Sequence, residues 1–250
     1  MDNEASVTNG TVDRQEIAHF AARAQGWWDP EGSFRPLHRL NPTRLAFIRD
    51  RLARHFGGEP AQLSPFTGLR LLDIGCGGGL VCEPMARLGF RVLGIDADAA
   101  AVAVARAHAA EAGLDIDYRV AAAESLAEEG ARFDAVLGLE IVEHVADPAC
   151  LFAALGGLVR PGGAFIGATL NRTLRAFALA VVGAEYILRW LPRGTHDWRK
   201  FVRPSDFVLG LRRNGFEVTE LTGLGYNILN SKWELSPDLE VNYMIMAIKH

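Results

Sequence analysis

A glycine-rich segment between two acidic residues is the part of the sequence best suited to chemistry. Asp73 is followed by Gly75 and Gly77 in the stretch Asp-Ile-Gly-Cys-Gly-Gly-Gly, which closes the apolar run at 69–74. Because glycine has no Cβ, such a loop turns sharply and lets a ligand approach the backbone. Asp96 ends the next apolar run, about twenty residues on, where a carboxylate accepts the hydroxyls of a ribose. The spacing predicts a nucleoside site.

The glycine spacing discriminates between cofactors. It reads G-x-G-x-G and not the G-x-G-x-x-G that places a helix around a pyrophosphate. Asp73 stands where a carboxylate receives the amino group of a methionine moiety. These features favour S-adenosylmethionine, while a dinucleotide cofactor and turn glycines without any ligand are the alternatives. The loop after the third predicted strand, with Ala123 and Glu124, would cover the adenine, and the loop after the fourth offers Leu139.

The elements around these residues alternate between strand and helix. Predicted strands cover 69–74, 91–95, 116–120, 133–139 and 164–169, and helices between them cover 79–88, 99–112 and 148–159. This rhythm indicates parallel strands with both faces covered. Further strands at 217–223 and 241–248 are expected to pair antiparallel. The turn at 158–163 before the fifth strand, with this closing pair, resembles the class I methyltransferase fold.

We therefore predict one α/β domain over 15–250, after a disordered N-terminus at 1–14. The fold would be Rossmann-like, with a seven-stranded, mostly parallel sheet containing one antiparallel strand. An N-terminal helical addition, with helices at 15–25 and 45–56, and an insertion at about 172–204 after strand 5 would complete it.

Composition limits the classes of function. The chain has 250 residues and a net charge of −4, which argues against wholesale nucleic-acid binding. Its three cysteines show no paired metal-ligand spacing, and free thiols suit a reducing compartment. The polar N-terminus lacks the apolar region of a secretory leader. A cytoplasmic enzyme is the expectation.

The flanking segments carry a closer resemblance. Residues 27–44, with the sequence Trp-Trp-Asp-Pro-Glu-Gly-Ser-Phe-Arg-Pro-Leu-His-Arg-Leu-Asn-Pro-Thr-Arg, and the stretches 181–189, 194–197 and 241–244 resemble the ubiquinone-biosynthesis O-methyltransferases. The resemblance implies methylation of a 2-polyprenyl-6-hydroxyphenol and of 3-demethylubiquinol, with membership of a biosynthetic complex as a further possibility. It also aligns Arg44, Gly75, Asp96 and Leu139 with the family's cofactor contacts. A guanidinium at Arg44 suits the methionine carboxylate, and a surface arginine is the alternative.

A phenolic acceptor must be activated, because its pKa is about 10. Glu140, Glu143 and His144 follow the fourth predicted strand, and on a helix they would share one face. By the resemblance, this motif holds a divalent ion such as Mg²⁺. In the metal-free alternative, His144 or Glu143 acts as the general base.

The insertion is apolar and basic. It has an apolar stripe at helical spacing, formed by Phe177, Val181, Ala184, Leu188 and Leu191. Between 172 and 203 there are seven basic residues and only two acidic ones. The pattern predicts peripheral contact of 172–203 with anionic lipid at the inner face of the plasma membrane. An ordinary lid over the substrate cleft is the alternative.

Two rival functions follow from the same residues. One is a class I methyltransferase acting on a small soluble catechol or another acceptor. A rate that depends on the apolar tail of the substrate would distinguish the polyprenyl acceptor from this alternative. The other is a non-catalytic lipid- or quinone-binding partner in a biosynthetic complex, against which the intact Asp73, glycine loop and Asp96 speak. His38 either lines the cleft or makes a structural hydrogen bond.

Overall fold

The computed structural model describes residues 10–12, 26–179, 197–227 and 232–250. The helix predicted at 15–25 and most of the apolar stripe of the insertion lie outside these ranges. No helix within them is long and apolar enough to cross a membrane.

The described ranges contain alternating helices and strands in the order that the sequence predicts, with additions at both ends. The helices are α1 (Arg35–Phe56), α2 (Cys82–Arg87), α3 (Ala99–Glu111), α4 (Ala123–Glu128), α5 (Pro148–Leu158), α6 (Leu174–Ala176) and α7 (Pro204–Arg213), with a 3₁₀ turn at Trp198–Lys200. The strands are β1 (Arg70–Ile74), β2 (Arg91–Asp96), β3 (Asp117–Val120), β4 (Phe133–Leu139), β5 (Val159–Leu170), β6 (Phe216–Asn227), β7 (Lys232–Ser236) and β8 (Asn242–Lys249).

The strands form one mixed sheet in the order β3-β2-β1-β4-β5-β8-β6-β7. Strands β1 to β5 pair in parallel, while β8 pairs antiparallel with both β5 and β6. The predicted α/β class and the antiparallel closing pair are confirmed. The sheet has eight strands and not seven, because β7 adds an edge strand antiparallel to β6. Two strands, β7 and β8, therefore run against the others. The alternation of Trp233 and Leu235 with polar neighbours is the sequence signal for β7.

The N-terminal helix is longer than predicted. Helix α1 begins at Arg35, ten residues before the predicted start at 45, and continues through Pro42. Proline lacks an N–H and removes one helical hydrogen bond, but this part of α1 also buries Leu40 and Asn41 against the domain. The helix ends as predicted, because Gly57 adopts a left-handed φ of 73°.

Both faces of the sheet are covered. Helix α1 packs Phe47, Ile48 and Leu52 on one face, each at most 1% exposed. Each contributes roughly 1.5–3 kcal/mol by leaving water. Helix α5 packs on the other face with Leu151 and Leu155. Since the faces are filled, a ligand must bind at the carboxyl ends of the parallel strands.

Candidate active site

The loop after β1 has the shape that its glycines predict. Gly75, Gly77 and Gly79 adopt φ values of 73°, 52° and 87°, a region that residues with a Cβ rarely enter. Asp96 is joined to this loop, because its Oδ2 accepts from the Gly77 N–H at 2.8 Å. Its Oδ1 accepts from the Asp98 N–H at 2.8 Å. The predicted cofactor residues Asp96, Gly75 and Gly77 thus lie together.

Asp73 lies at the end of β1 with only 3% of its surface exposed. The Cys82 thiol donates to its Oδ2 at 3.2 Å. Burial raises the pKa of Asp73 to about 7, and the negative charge of Asp96 acts in the same direction, while the Cys82 hydrogen bond and Arg44 oppose it. A cationic group placed beside this carboxyl would therefore be bound favourably, and its binding would release a proton.

Arg44 reaches the same place from α1. It is 3% exposed, and its Nη2 donates to Glu140 Oε1 at 3.3 Å. Its buried Nε has no hydrogen-bond partner among the residues that the structure describes. A surface position for Arg44 is thus wrong. The structure brings Arg44 to the carboxyl end of β4, and its charge is felt by Asp73.

The segment after β4 is not a helix, so the helical face predicted for Glu140, Glu143 and His144 is wrong. Glu140 adopts a left-handed φ of 52°, which no helix accommodates. Its N–H donates to Ala168 O on β5 at 2.9 Å, and the His144 N–H turns back to Ile141 O at 3.0 Å. Sheet pairing at the end of β4 therefore overrides the helical pattern.

Glu143 is 3% exposed. Thr169 donates to its Oε2 at 2.9 Å, and its buried Oε1 has no hydrogen-bond partner within the described part of the chain. Burial, and next the negative charge of Glu140, raise the pKa of Glu143 well above its usual value. Two adjacent carboxyl groups with one free oxygen have the hard donors that Mg²⁺ prefers. Among the described residues, however, no three His, Cys, Asp or Glu side chains are grouped to hold a metal. The three predicted ligands therefore do not form a metal site in this arrangement.

Ala123 and Glu124, predicted to lie in a loop, are the first two residues of α4, and Glu124 is occupied by the chain itself. The Thr11 N–H donates to Glu124 Oε1 at 2.7 Å and the Thr11 hydroxyl donates to Oε2 at 2.6 Å. The carbonyl of Thr11 accepts from Ala146 N–H at 3.1 Å. Residues 10–12, inside the segment predicted to be disordered, thus connect the start of α4 with the segment after β4. Leu139 ends β4 and is 9% exposed.

Two tryptophans before α1 cover the glycine loop, and residue-by-residue sequence reasoning missed them as site residues. A Cβ built on Gly77 or Gly78 would meet the Trp27 indole. The Trp28 indole N–H donates to Gly78 O at 2.9 Å. His38 makes a structural hydrogen bond, with its Nε2 2.8 Å from Trp27 O. The adjacent aromatic pair just before a helix was the available signal.

In the described parts of the insertion, some basic side chains are paired with acidic ones. The net positive charge there is therefore smaller than the count of charged residues within 172–203 suggests. Arg172 pairs with Asp206 at 3.4 Å, and Arg175 pairs with Asp238 and Glu240 at 2.8 and 2.7 Å. These carboxylates come from outside 172–203, so the fold neutralises part of the basic excess there. Exposed apolar side chains remain at its start, with Leu174 79%, Phe177 41% and Leu179 53% exposed.

Comparisons with known proteins identify the family. A model described as a methyltransferase domain matches residues 72–167. The ubiquinone biosynthesis O-methyltransferase of Brucella anthropi is 53% identical over 237 residues, which are 95% of this chain and 96% of the relative. The protein of the same name from Sinorhizobium medicae is 54% identical over 237 residues, again 95% and 96% of the two chains.

Solved structures agree on the fold. The magnesium protoporphyrin IX methyltransferase of Synechocystis PCC 6803, with bound S-adenosylhomocysteine, matches with a TM-score of 0.62 at 18% identity, over 93% of this chain and 94% of the other. At that identity the likeness shows only the class I methyltransferase fold. The identity to the curated relatives extends over nearly the whole chain, including the N-terminal addition and the insertion, and therefore the chain belongs to the ubiquinone biosynthesis O-methyltransferase family.

Proposed function

We propose that this S-adenosylmethionine-dependent O-methyltransferase methylates a phenolic hydroxyl of polyprenylated catechol and quinol intermediates, namely 2-polyprenyl-6-hydroxyphenol and 3-demethylubiquinol. The observation that carries the proposal is the contact between the two loops of the site. A Cβ at Gly75 would lie 2.9 Å from Ile141 Cδ1. The segment with Glu140, Glu143 and His144 therefore lies against the cofactor loop, where an acceptor oxygen would meet the methyl group.

The cofactor supplies an electrophilic methyl group on a sulfonium sulfur, and the chain must align it with the acceptor oxygen. Asp96 would hold the ribose hydroxyls, because it already sits against the glycine loop through Gly77. Asp73 suits the ammonium group and Arg44 the carboxylate of the methionine part. Once the donor is fixed in this way, the rate depends on how well the acceptor oxygen is aligned with the methyl carbon and the sulfur.

His144 is proposed as the general base. Histidine is the side chain that most often accepts a proton in general acid–base catalysis, which suits it to a phenolic hydroxyl. Glu143 is less suited to that step as it stands, because its raised pKa favours the protonated form. Its hydrogen bond to Thr169 instead anchors the loop that carries His144.

The divalent ion stays a prediction. The buried Oε1 of Glu143, unpaired among the described residues, and the nearby Glu140 carboxylate support it. A cation would offset the burial and the negative charge of Glu140, which together raise the pKa of Glu143. The lack of a third grouped ligand among the described side chains speaks against a preformed site. EDTA treatment separates the two cases.

Contact with anionic membrane is proposed through 172–203. Leu174, Phe177 and Leu179 support it, because their exposed side chains would be stabilised by a lipid interface. Replacement of both Arg189 and Arg193 by Glu should abolish binding to vesicles containing anionic lipid. Unchanged binding would leave the alternative, a lid that packs over the cleft.

The proposed reaction is tested with labelled S-adenosylmethionine and a short-tailed prenyl catechol, with and without EDTA. Label on the phenolic oxygen is expected, at a rate that falls when the tail is removed. Loss of transfer in EDTA, restored by Mg²⁺, would support the predicted metal. Cofactor binding without transfer to any phenol would overturn the proposed acceptor class.

A pair of histidine variants tests the base. His144→Asn should lower kcat by about 10²-fold or more and leave cofactor affinity unchanged. His55→Asn is the matched control, because His55 hydrogen-bonds Gly162 O at 2.8 Å, next to the amino-terminal part of β5 and away from the site. Equal kcat for both variants would remove His144 from the mechanism.

A further inference from the structure

Three buried polar atoms on the N-terminal addition have no hydrogen-bond partner in the described part of the chain. They are Trp27 Nε1, Asn41 Oδ1 and Arg44 Nε. A buried donor or acceptor without a partner costs free energy, so such atoms are rare in folded proteins and each one calls for a physical reason. Reservation for a ligand is one such reason.

The three atoms belong to neighbouring parts of one surface. Asn41 and Arg44 lie three residues apart on α1 and hence on the same side of the helix, with 7% and 3% exposure. His38, one turn earlier, hydrogen-bonds the backbone of Trp27. Arg44 contacts Glu140 after β4. This part of α1 therefore extends from the tryptophan that covers the glycine loop to the loop that follows β4.

Trp27 itself is held against the cofactor loop. Its indole occupies the space that a Cβ on Gly77 or Gly78 would need, and it stacks on Phe34 at 3.9 Å between ring centroids. The neighbouring Trp28 differs in one respect, because its indole N–H is already used by Gly78 O at 2.9 Å. Trp27 thus keeps a free donor beside the glycine loop, while Trp28 does not.

The free atoms match the amino-acid part of the cofactor in chemical type. The methionine moiety of S-adenosylmethionine carries a carboxylate, which accepts hydrogen bonds, and an ammonium group, which donates them. The structure offers two free donors, Trp27 Nε1 and Arg44 Nε, and one free acceptor, Asn41 Oδ1. We propose that Trp27 and Asn41 are cofactor-binding residues, with Trp27 joining Arg44 at the carboxylate and Asn41 joining Asp73 at the ammonium group.

The proposal rests on S-adenosylmethionine as the cofactor and not on the acceptor, so its test uses binding alone. The probes are S-adenosylhomocysteine, which has the amino-acid part, and 5′-methylthioadenosine, which lacks it. Calorimetric affinities are measured for Trp27→Phe and Asn41→Leu, which remove the polar atom and keep most of the volume. Trp28→Phe and Trp233→Phe are the controls.

Each of the two test variants should weaken S-adenosylhomocysteine by about tenfold or more, as expected for a lost hydrogen bond to a charged group. Affinity for 5′-methylthioadenosine should stay within about twofold, because that probe has no group for either atom. Trp233→Phe should change neither affinity, and any loss in Trp28→Phe should be equal for the two probes. Equal losses for both probes in Trp27→Phe and Asn41→Leu, or no loss, would overturn the proposal.

A second measurement needs no substitution and so does not depend on how a variant folds. In protein labelled with ¹⁵N at the tryptophan side chains, the Trp27 indole N–H signal should shift on addition of S-adenosylhomocysteine. It should shift much less with 5′-methylthioadenosine. A Trp27 signal that responds equally to both probes, or to neither, would contradict the assignment. Failure of methyl transfer to a prenyl catechol would leave this result untouched.

Discussion

The raised pKa of Asp73 predicts that cofactor affinity depends on pH. The carboxyl is fully buried and its pKa is raised from 3.8 to about 7. A carboxyl with a raised pKa in the folded state contributes stability that is complete below 3.8 and is lost as the pH rises through about 7. The loss is about 4 kcal/mol above that range.

A cofactor ammonium group reverses this relation, because it pairs only with the ionised carboxyl. Below pH 7, the affinity for S-adenosylhomocysteine should fall toward about tenfold per pH unit, and above pH 7 it should level off. Binding near pH 6.5 should also release a proton. Calorimetry in two buffers of different ionisation enthalpy, from pH 5.5 to 8.5, measures both quantities.

A substitution at Asp73 separates its own titration from that of the ionisable groups near it. The electrostatic neighbours of Asp73 are Arg44, Asp96, Cys76, Cys82 and Tyr118. All of these except Arg44 have a raised pKa. Asp73→Asn removes only the titration of Asp73. Its affinity should be lower at pH 8, but nearly independent of pH. A flat profile in the unmodified protein, or the same slope in Asp73→Asn, would refute the reasoning.

Three further predictions concern the loops around the site. Gly78→Ala should lower the affinity for S-adenosylhomocysteine by about tenfold or more, because its Cβ would collide with the Trp27 indole. Calorimetry measures this affinity, and an unchanged value would mean that Trp27 moves freely. Thr11→Val should remove the hydrogen bond from the Thr11 hydroxyl to Glu124 and lower the free energy of unfolding in urea by about 1 kcal/mol. A larger effect on cofactor affinity than on stability would assign Thr11 to the site. Gly223→Ala should lower the unfolding temperature markedly while sparing cofactor affinity, because its Cβ would overlap the carbonyl of Asp238, which follows β7. Normal thermal unfolding would contradict this packing.

The sequence predicts the central architecture and the cofactor loop well because both depend on local signals. Apolar runs place β1 and β4, the first of them closed by glycine. The left-handed φ values of Gly75 and Gly77 are conformations that glycine specifically permits. Asp96 follows from its place at the end of β2. Each of these inferences needs only a short stretch of chain.

The remaining features depend on contacts between distant residues. The spacing of Glu140 and His144 fits a helix, but pairing of Glu140 with Ala168 across the sheet sets its backbone. Glu124 looks available for the adenine until Thr11, 113 residues away in sequence, takes both of its oxygens. Helix α1 continues through Pro42 because its buried side chains offset the lost hydrogen bond. Local propensity contains none of this information.

The segment shared with other methyltransferases does not contain Arg44, Trp27 or Thr11. This limits which part of the chain can be exchanged with that of a relative. The matched methyltransferase domain spans 72–167, whereas these three residues precede it. Helix α1 is in turn tied to the last hairpin, since Thr43 donates to Trp233 O on β7 at 2.7 Å. A chimaera that transplants 72–167 alone would carry the glycine loop and Asp96 but lose the contacts that Arg44, Trp27 and Thr11 make with this segment. The smallest unit that can be exchanged intact is therefore nearly the whole chain.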